Sequence, residues 1–170
     1  MKSVFFLPLS LLLTATAAFA QQVAFQDSLL DQFAGQWVLR GTIDGKQTTH
    51  DVDARWILGH LYLQFREISR EKDSAGAPEY EALVTIGWDE PSNQYACLWL
   101  DNTSGAGLTG TIAFAKREPD RMAFLFKGKD GSLFHTTFVR DRKADSWQWM
   151  MDGEENGKLQ PFARVSLQRK

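Results

Sequence analysis

From Trp37 to the C-terminus, apolar residues recur at every second position, and clusters of turn-forming residues break the pattern roughly every 8 to 12 residues. Alternation of this kind puts apolar side chains on one face of an extended strand. Turns this closely spaced leave room for hairpins but not for the helical crossovers that parallel strands require. The turns have definite chemistry: Asp44-Gly45 tolerates the positive φ angles of a tight hairpin, Gly59-His60 makes a corner, and Asp89-Glu90-Pro91-Ser92-Asn93 joins a proline to small polar residues. The strands so delimited are ten: Trp37–Ile43, Thr48–Leu58, Leu61–Arg70, Tyr80–Trp88, Gln94–Asp101, Leu108–Ala115, Arg121–Lys127, Ser132–Arg140, Ser146–Met151 and Phe162–Gln168. An all-β, up-and-down antiparallel barrel of about ten strands removes the exposed edges of an open sheet and leaves room for a cavity. A two-sheet sandwich is the alternative that the same signals allow. Ahead of the strands, Ala24 to Phe33 reads as a short helix, with Leu29, Leu30 and Phe33 on one face, Asp27 or Ser28 as its cap, and Gly35 after its end.

The N-terminus has a different pattern. Lys2 precedes an almost uninterrupted run of apolar and small residues from Val4 to Ala20, ending Ala18-Phe19-Ala20. This is the form of a signal peptide at residues 1–20, cleaved before Gln21, and the run is shorter than the about 20 apolar residues a membrane-crossing helix needs. An uncleaved anchor is the alternative. Cleavage would remove Lys2 alone among the charged residues, leaving 18 basic against 21 acidic side chains and a formal charge of −3. That balance argues against nucleic acid as a partner. No later segment is long and apolar enough to span a bilayer, so residues 21–170 are expected to form a single soluble domain, periplasmic or secreted. The one cysteine, Cys97, cannot form an intramolecular disulfide and lies in an apolar strand, as a small buried hydrophobe would.

The candidate functional residues are mostly aromatic. Trp37, Trp56, Trp88, Trp99, Trp147 and Trp149 either fill a core or line a cavity that holds a flat or greasy ligand. A closed barrel must seal its end with side chains, which suits Trp37, whereas Trp147 and Trp149 share a strand face with Met151 and fit either role. His135 interrupts the apolar Leu133-Phe134 run and has no second histidine at a metal-ligand spacing. His50, Asp51 and Asp53 are mixed potential ligands, more simply read as a solvated strand, so no metal site is expected. Arg66 alternates with Tyr62 and Gln64 on one strand face, which forms either a polar wall inside the barrel or its outer surface. Gly105-Ala106-Gly107 lacks the lysine and helix of a phosphate loop, and serine-elbow and paired-histidine zinc motifs are absent.

Gly35-Gln36-Trp37 after a short helix, with Arg164 in the last strand, resembles a lipocalin-type or calycin barrel. The segments Arg55-Trp56-Ile57-Leu58-Gly59, Gly87-Trp88-Asp89 and Tyr95-Ala96-Cys97-Leu98-Trp99-Leu100-Asp101 resemble more closely a family of uncharacterised lipocalin-like exported bacterial proteins, a domain of unknown function, over about residues 29 to 169. More distantly the chain is similar to fatty-acid-binding barrels. The resemblance implies a floor of Trp37 with Arg164 packed over its indole, a barrel fold and a hydrophobic ligand. It implies no catalytic residues. Haem-binding ten-stranded barrels related to nitrobindin are similar in outline, but no motif carries their haem-ligating histidine onto His50, His60 or His135. No cofactor is expected, haem being the one to test.

These readings lead first to an exported binding protein that takes a small apolar or amphipathic molecule against Trp99, Trp147 and Trp149, with His135 or Arg66 as the polar anchor and Tyr62 beside them. A barrel enzyme using His135 with Asp101 or Glu67 is a second expectation, and its requirement is a histidine and a carboxylate within hydrogen-bond reach at a cavity wall. A filled barrel that binds proteins through loops such as Arg70–Glu79 or Asp152–Lys158 is a third. The N-terminal expectation is checked directly: the intact mass of the protein recovered from its exported compartment is expected to correspond to a chain beginning at Gln21, whereas retention of residues 1–20 would identify an anchor.

Overall fold

The computed structural model describes residues 25–103 and 112–170. The signal peptide expected at residues 1–20 lies outside them, as do the Gly105–Gly107 turn and the first half of the strand expected at Leu108–Ala115. The described residues form one short helix, α1 (Ser28–Phe33), and ten strands: β1 (Gly35–Ile43), β2 (Lys46–Ile57), β3 (Tyr62–Ser69), β4 (Glu81–Asp89), β5 (Gln94–Asp101), β6 (Ile112–Ala115), β7 (Arg121–Lys127), β8 (Leu133–Asp141), β9 (Ser146–Glu155) and β10 (Lys158–Arg169). Each strand pairs antiparallel with its neighbours in sequence, and β1 pairs with β10 to close the barrel. The chain is therefore an all-β, ten-stranded antiparallel barrel, and the sandwich alternative falls. No helix among the described residues is long and apolar enough to cross a membrane.

Two departures from the sequence reading have a local cause. The helix begins at Ser28 rather than Ala24, because Asp27 has extended backbone and its carboxylate accepts from the N–H groups of Leu29 and Leu30, which defines the first turn. Asp152–Lys158, expected to separate two strands, belongs mostly to them. Asn156 and Gly157 alone make the turn, with φ of 51° and 73°, and Asn-Gly is the pair that favours such two-residue hairpins.

Alternation decides what lies inside. Leu39, Val52, Ala54, Leu63, Phe65, Val84 and Ile86 point inward from the first four strands, and Cys97, Phe124, Phe138, Trp147, Trp149, Val165 and Leu167 from the others. The end of the barrel beside α1 is filled with rings. Phe33, carried inward by α1, lies 4.9 Å from Trp147, 5.4 Å from Phe65 and Phe138, and 6.2 Å from Trp37 between ring centroids. Trp37 is fully buried, and its indole N–H donates to the Phe33 carbonyl at 2.8 Å.

The arginine over the Trp37 ring is Arg169, at 4.2 Å, and not the Arg164 expected from the resemblance. The register of β1 on β10 explains the difference. It sets Trp37 opposite Arg169, whereas Arg164 stands opposite Thr42, points outward and pairs with Asp152. Arg169 also donates to the carbonyls of Ala34 at 3.1 Å and Gln32 at 3.0 Å, so one guanidinium ties the helix end to the sheet. Gly35 makes room for it: the residue has a φ of +135°, and a Cβ there would meet Arg169 Nη1 at 2.4 Å.

The other end of α1 is held by Asp27. Besides capping the helix, its second oxygen accepts from the Tyr95 hydroxyl at 2.7 Å and from Arg117 at 2.6 Å, and the Arg117 guanidinium lies 4.4 Å from the Trp88 ring centroid. Burial, then the hydrogen bond to Asp27, pushes the Tyr95 phenol well above its ordinary range, which keeps it a donor. Replacing Asp27 by Ala removes the cap and a buried acceptor together, and the expected loss is about 2–4 kcal/mol of stability in urea denaturation. An unchanged midpoint would mean that α1 is held by its apolar face alone.

Candidate functional site

Going from the α1 end to the opposite end, the inward faces of β2 and β3 change from apolar to polar. On β3 the sequence runs Leu63, Phe65, Glu67, Ser69, and on β2 the matching positions run Trp56, Ala54, Val52, His50, Thr48. All of these share the inner face because side chains alternate strictly across a strand. Above the ring-filled half, a cavity of about 610 Å³ opens at this end. Its wall includes Thr48, His50, Glu67, Tyr80, Trp99 and Asp101, with Met151, Phe134 and Phe162 on the opposite side.

The centre of this wall is a contact between His50 Nδ1 and Glu67 Oε1, whose side chains are 4% and 1% exposed. The pair continues outward as a relay. Thr48 Oγ1 donates its single proton to Glu71 Oε2 at 2.9 Å, so in its 2.7 Å contact with His50 the ring Nε2 is the donor. Glu71 also accepts from the Thr49 N–H at 3.0 Å. Burial works against its ionisation, but these hydrogen bonds and its own N–H outweigh that and hold its carboxyl below the ordinary range. A continuous path thus runs from the cavity wall to the barrel rim through Glu67, His50, Thr48 and Glu71. The ring of Tyr80 stacks on His50 at 5.6 Å, and its oxygen accepts from the Trp99 indole N–H at 3.2 Å. Burial first, and then the nearby Glu67 and Asp101, raise the Tyr80 phenol far above its usual range.

Glu67 is the unusual member. Burial, the largest influence, pushes its carboxyl above the ordinary value of 4.5, outweighing the pull of His50 in the other direction. Its second oxygen, Oε2, has no hydrogen-bond partner among the described residues. An unsatisfied acceptor this deeply buried is costly to the fold.

The expected site residues are dispersed. Trp99 stands on the cavity wall, but Trp149 lies behind it at 5.4 Å, inside the core, and Trp147 belongs to the floor against Phe33. Arg66 is on the outer surface, its side chain 55% exposed and paired with Glu81 at 2.6 Å. Tyr62 shares that face and lies flat across Gly87, where a Cβ would meet the ring at 2.4 Å. Neither belongs to an inner wall, because Leu63 and Phe65 take the inward positions of β3. His135 is also outward and 31% exposed, with Nε2 at 2.7 Å from Glu154. It is neither a cavity anchor nor a partner of Glu67 or Asp101, so the enzyme reading built on His135 falls.

From sequence, Glu67 is a candidate only beside His135, and His50 only as a metal ligand beside Asp51 and Asp53. Those aspartates face outward, where Asp51 pairs with Arg70 and Lys170. No group of three or more metal-ligating side chains is found among the described residues. A signal for the true pairing is present in the chain: Glu67 and Ser69 continue the Leu63–Phe65 stripe, and His50 continues the Val52–Ala54 stripe. Its meaning depends on knowing that these stripes face inward. No protein-family model matches the chain, and no curated protein matches it.

The buried carboxyl has a consequence for pH. Below about pH 4.5 Glu67 is protonated in both folded and unfolded chains. As the pH rises, the unfolded chain releases this proton while the folded chain keeps it, so stability falls until Glu67 ionises in the folded state as well. Glu67→Gln removes that loss. The stability of the wild type relative to this variant, from denaturation curves across the acid-to-neutral range, is expected to decline as pH rises from about 4.5. A difference independent of pH would show that the carboxyl is not held protonated.

Proposed function

We propose that the chain is an exported, lipocalin-like barrel that binds a small apolar or amphipathic molecule in the cavity opposite α1. The observation that carries this reading is the cavity itself: its volume of about 610 Å³ falls in the range of roughly 300–1,000 Å³ usual for small-molecule pockets, and its lining sets aromatic and apolar side chains beside polar and charged ones. Phe134, Phe162, Met151 and Trp99 supply apolar surface, and Glu67 and Tyr80 supply fixed polarity. The Gly35, Trp37 and Arg169 floor favours the lipocalin-like assignment, with Arg169 in the role that the resemblance gives to Arg164. The Val4–Ala20 run favours export.

The interaction-module reading requires a filled interior, and the cavity weighs against it. A catalytic reading has one specific observation in its favour, the His50–Glu67 pair, which meets at a cavity wall the geometric requirement set for an acid–base site. Binding is the simpler reading, because it needs only the shape and polarity of the wall.

Titration of the mature protein with N-phenyl-naphthylamine is expected to quench tryptophan fluorescence and to saturate at one equivalent. Met151→Trp, which fills the cavity from β9, is expected to weaken that binding by about tenfold or more, the cost of losing roughly one well-packed apolar contact surface. Non-saturating binding, or binding indifferent to the substitution, would overturn the reading.

A further inference from the structure

We infer that the cavity selects an organic cation, an ammonium group carried on a flat or apolar body, and that Glu67 Oε2 is the atom that receives it. The inference deepens the binding reading of the same cavity and rests on it. Three independent features converge. Glu67 is almost wholly buried, belongs to the cavity lining, and has one oxygen without a partner among the described residues, while its other oxygen is engaged by His50. A carboxylate oxygen only accepts, so the ligand group that satisfies it must donate.

The charges around it have one prevailing sign. Besides Glu67 the lining contains the acids Asp44, Glu71, Glu79 and Asp101, against Lys46 and His50. Such a mouth attracts a cation and repels a carboxylate, and low-dielectric walls strengthen the preference. The apolar part of the lining is largely aromatic, with Tyr80, Trp99, Phe134 and Phe162, and ring faces attract ammonium groups.

The relay lets the wall adapt. An ammonium at Oε2 supplies the opposite charge that burial otherwise denies this carboxylate. Oε1 keeps its contact with His50 Nδ1, and the ring remains tied through Nε2–H to Thr48 and, through the Thr48 hydroxyl, to Glu71. A fatty acid, the natural guess for an apolar barrel, would instead set its carboxylate against Glu67 and Asp101.

The test uses three probes with the same ring system and different head groups: naphthylethylamine, naphthylethanol and naphthylacetate, titrated by calorimetry into the mature protein at neutral pH. The amine is expected to bind about tenfold or more tighter than the alcohol, the usual value of a hydrogen bond to a charged group, with the acetate weakest. Glu67→Gln is expected to abolish the preference for the amine over the alcohol. Equal affinities for the three probes in the wild type would overturn the cation inference and leave the cavity reading standing. That comparison needs no variant to fold. Saturable binding of none of them, with N-phenyl-naphthylamine also failing, would overturn both.

Discussion

The register in which β1 meets β10 is the constraint on which the rest of the barrel depends. Setting Trp37 opposite Arg169 places an indole and a guanidinium at the same end of the closing seam, and that guanidinium then captures the last carbonyls of α1. A register slip of one residue would turn every inward side chain of β10 outward. With the slip excluded, α1 lies across one end of the barrel and drives Phe33 among Phe65, Phe138 and Trp147. The barrel is sealed there by packed rings, and space remains only towards the other end, among the described residues.

That asymmetry organises the polarity as well as the space. Close to α1, the inner faces of β2 and β3 contribute Trp56, Ala54, Leu63 and Phe65. Further along the same faces come His50 and Glu67. A buried carboxyl beside an imidazole is an expensive arrangement, because taking charge out of water costs several kcal/mol unless the partners and hydrogen bonds are all in place. Here they are not all in place: Oε2 is unsatisfied. An unsatisfied atom of this kind, in the wall of a cavity while the opposite end of the barrel is tightly packed, sets the half that holds the cavity apart from the half that holds the fold.

Some features are legible in the residues alone. Ten strands follow from period-two alternation and from turns such as Asp44-Gly45, since local backbone chemistry sets both. The helix cap at Asp27 is of the same kind, whereas the floor position of Trp37 is legible only through the closure of the barrel and the resemblance. The Asn156-Gly157 hairpin is equally local, but the polar stretch around it masks it by reading as a loop; Asp152 is in fact buried, and Arg164 pairs with it.

The amino-acid sequence by itself determined the strands, their turns and the alternation that separates two faces on each, because these depend on residues near one another in the chain. Which face points inward, and which residues meet across the barrel, only the tertiary structure decided. Arg66 and Glu67 are adjacent in sequence, and one is on the surface while the other is in the cavity wall. His50 lies 17 residues from Glu67. Their contact exists because β2 and β3 pair in one register and the barrel closes with Leu63 and Phe65 inside, and those are consequences of burying apolar area over the whole domain rather than of any local preference.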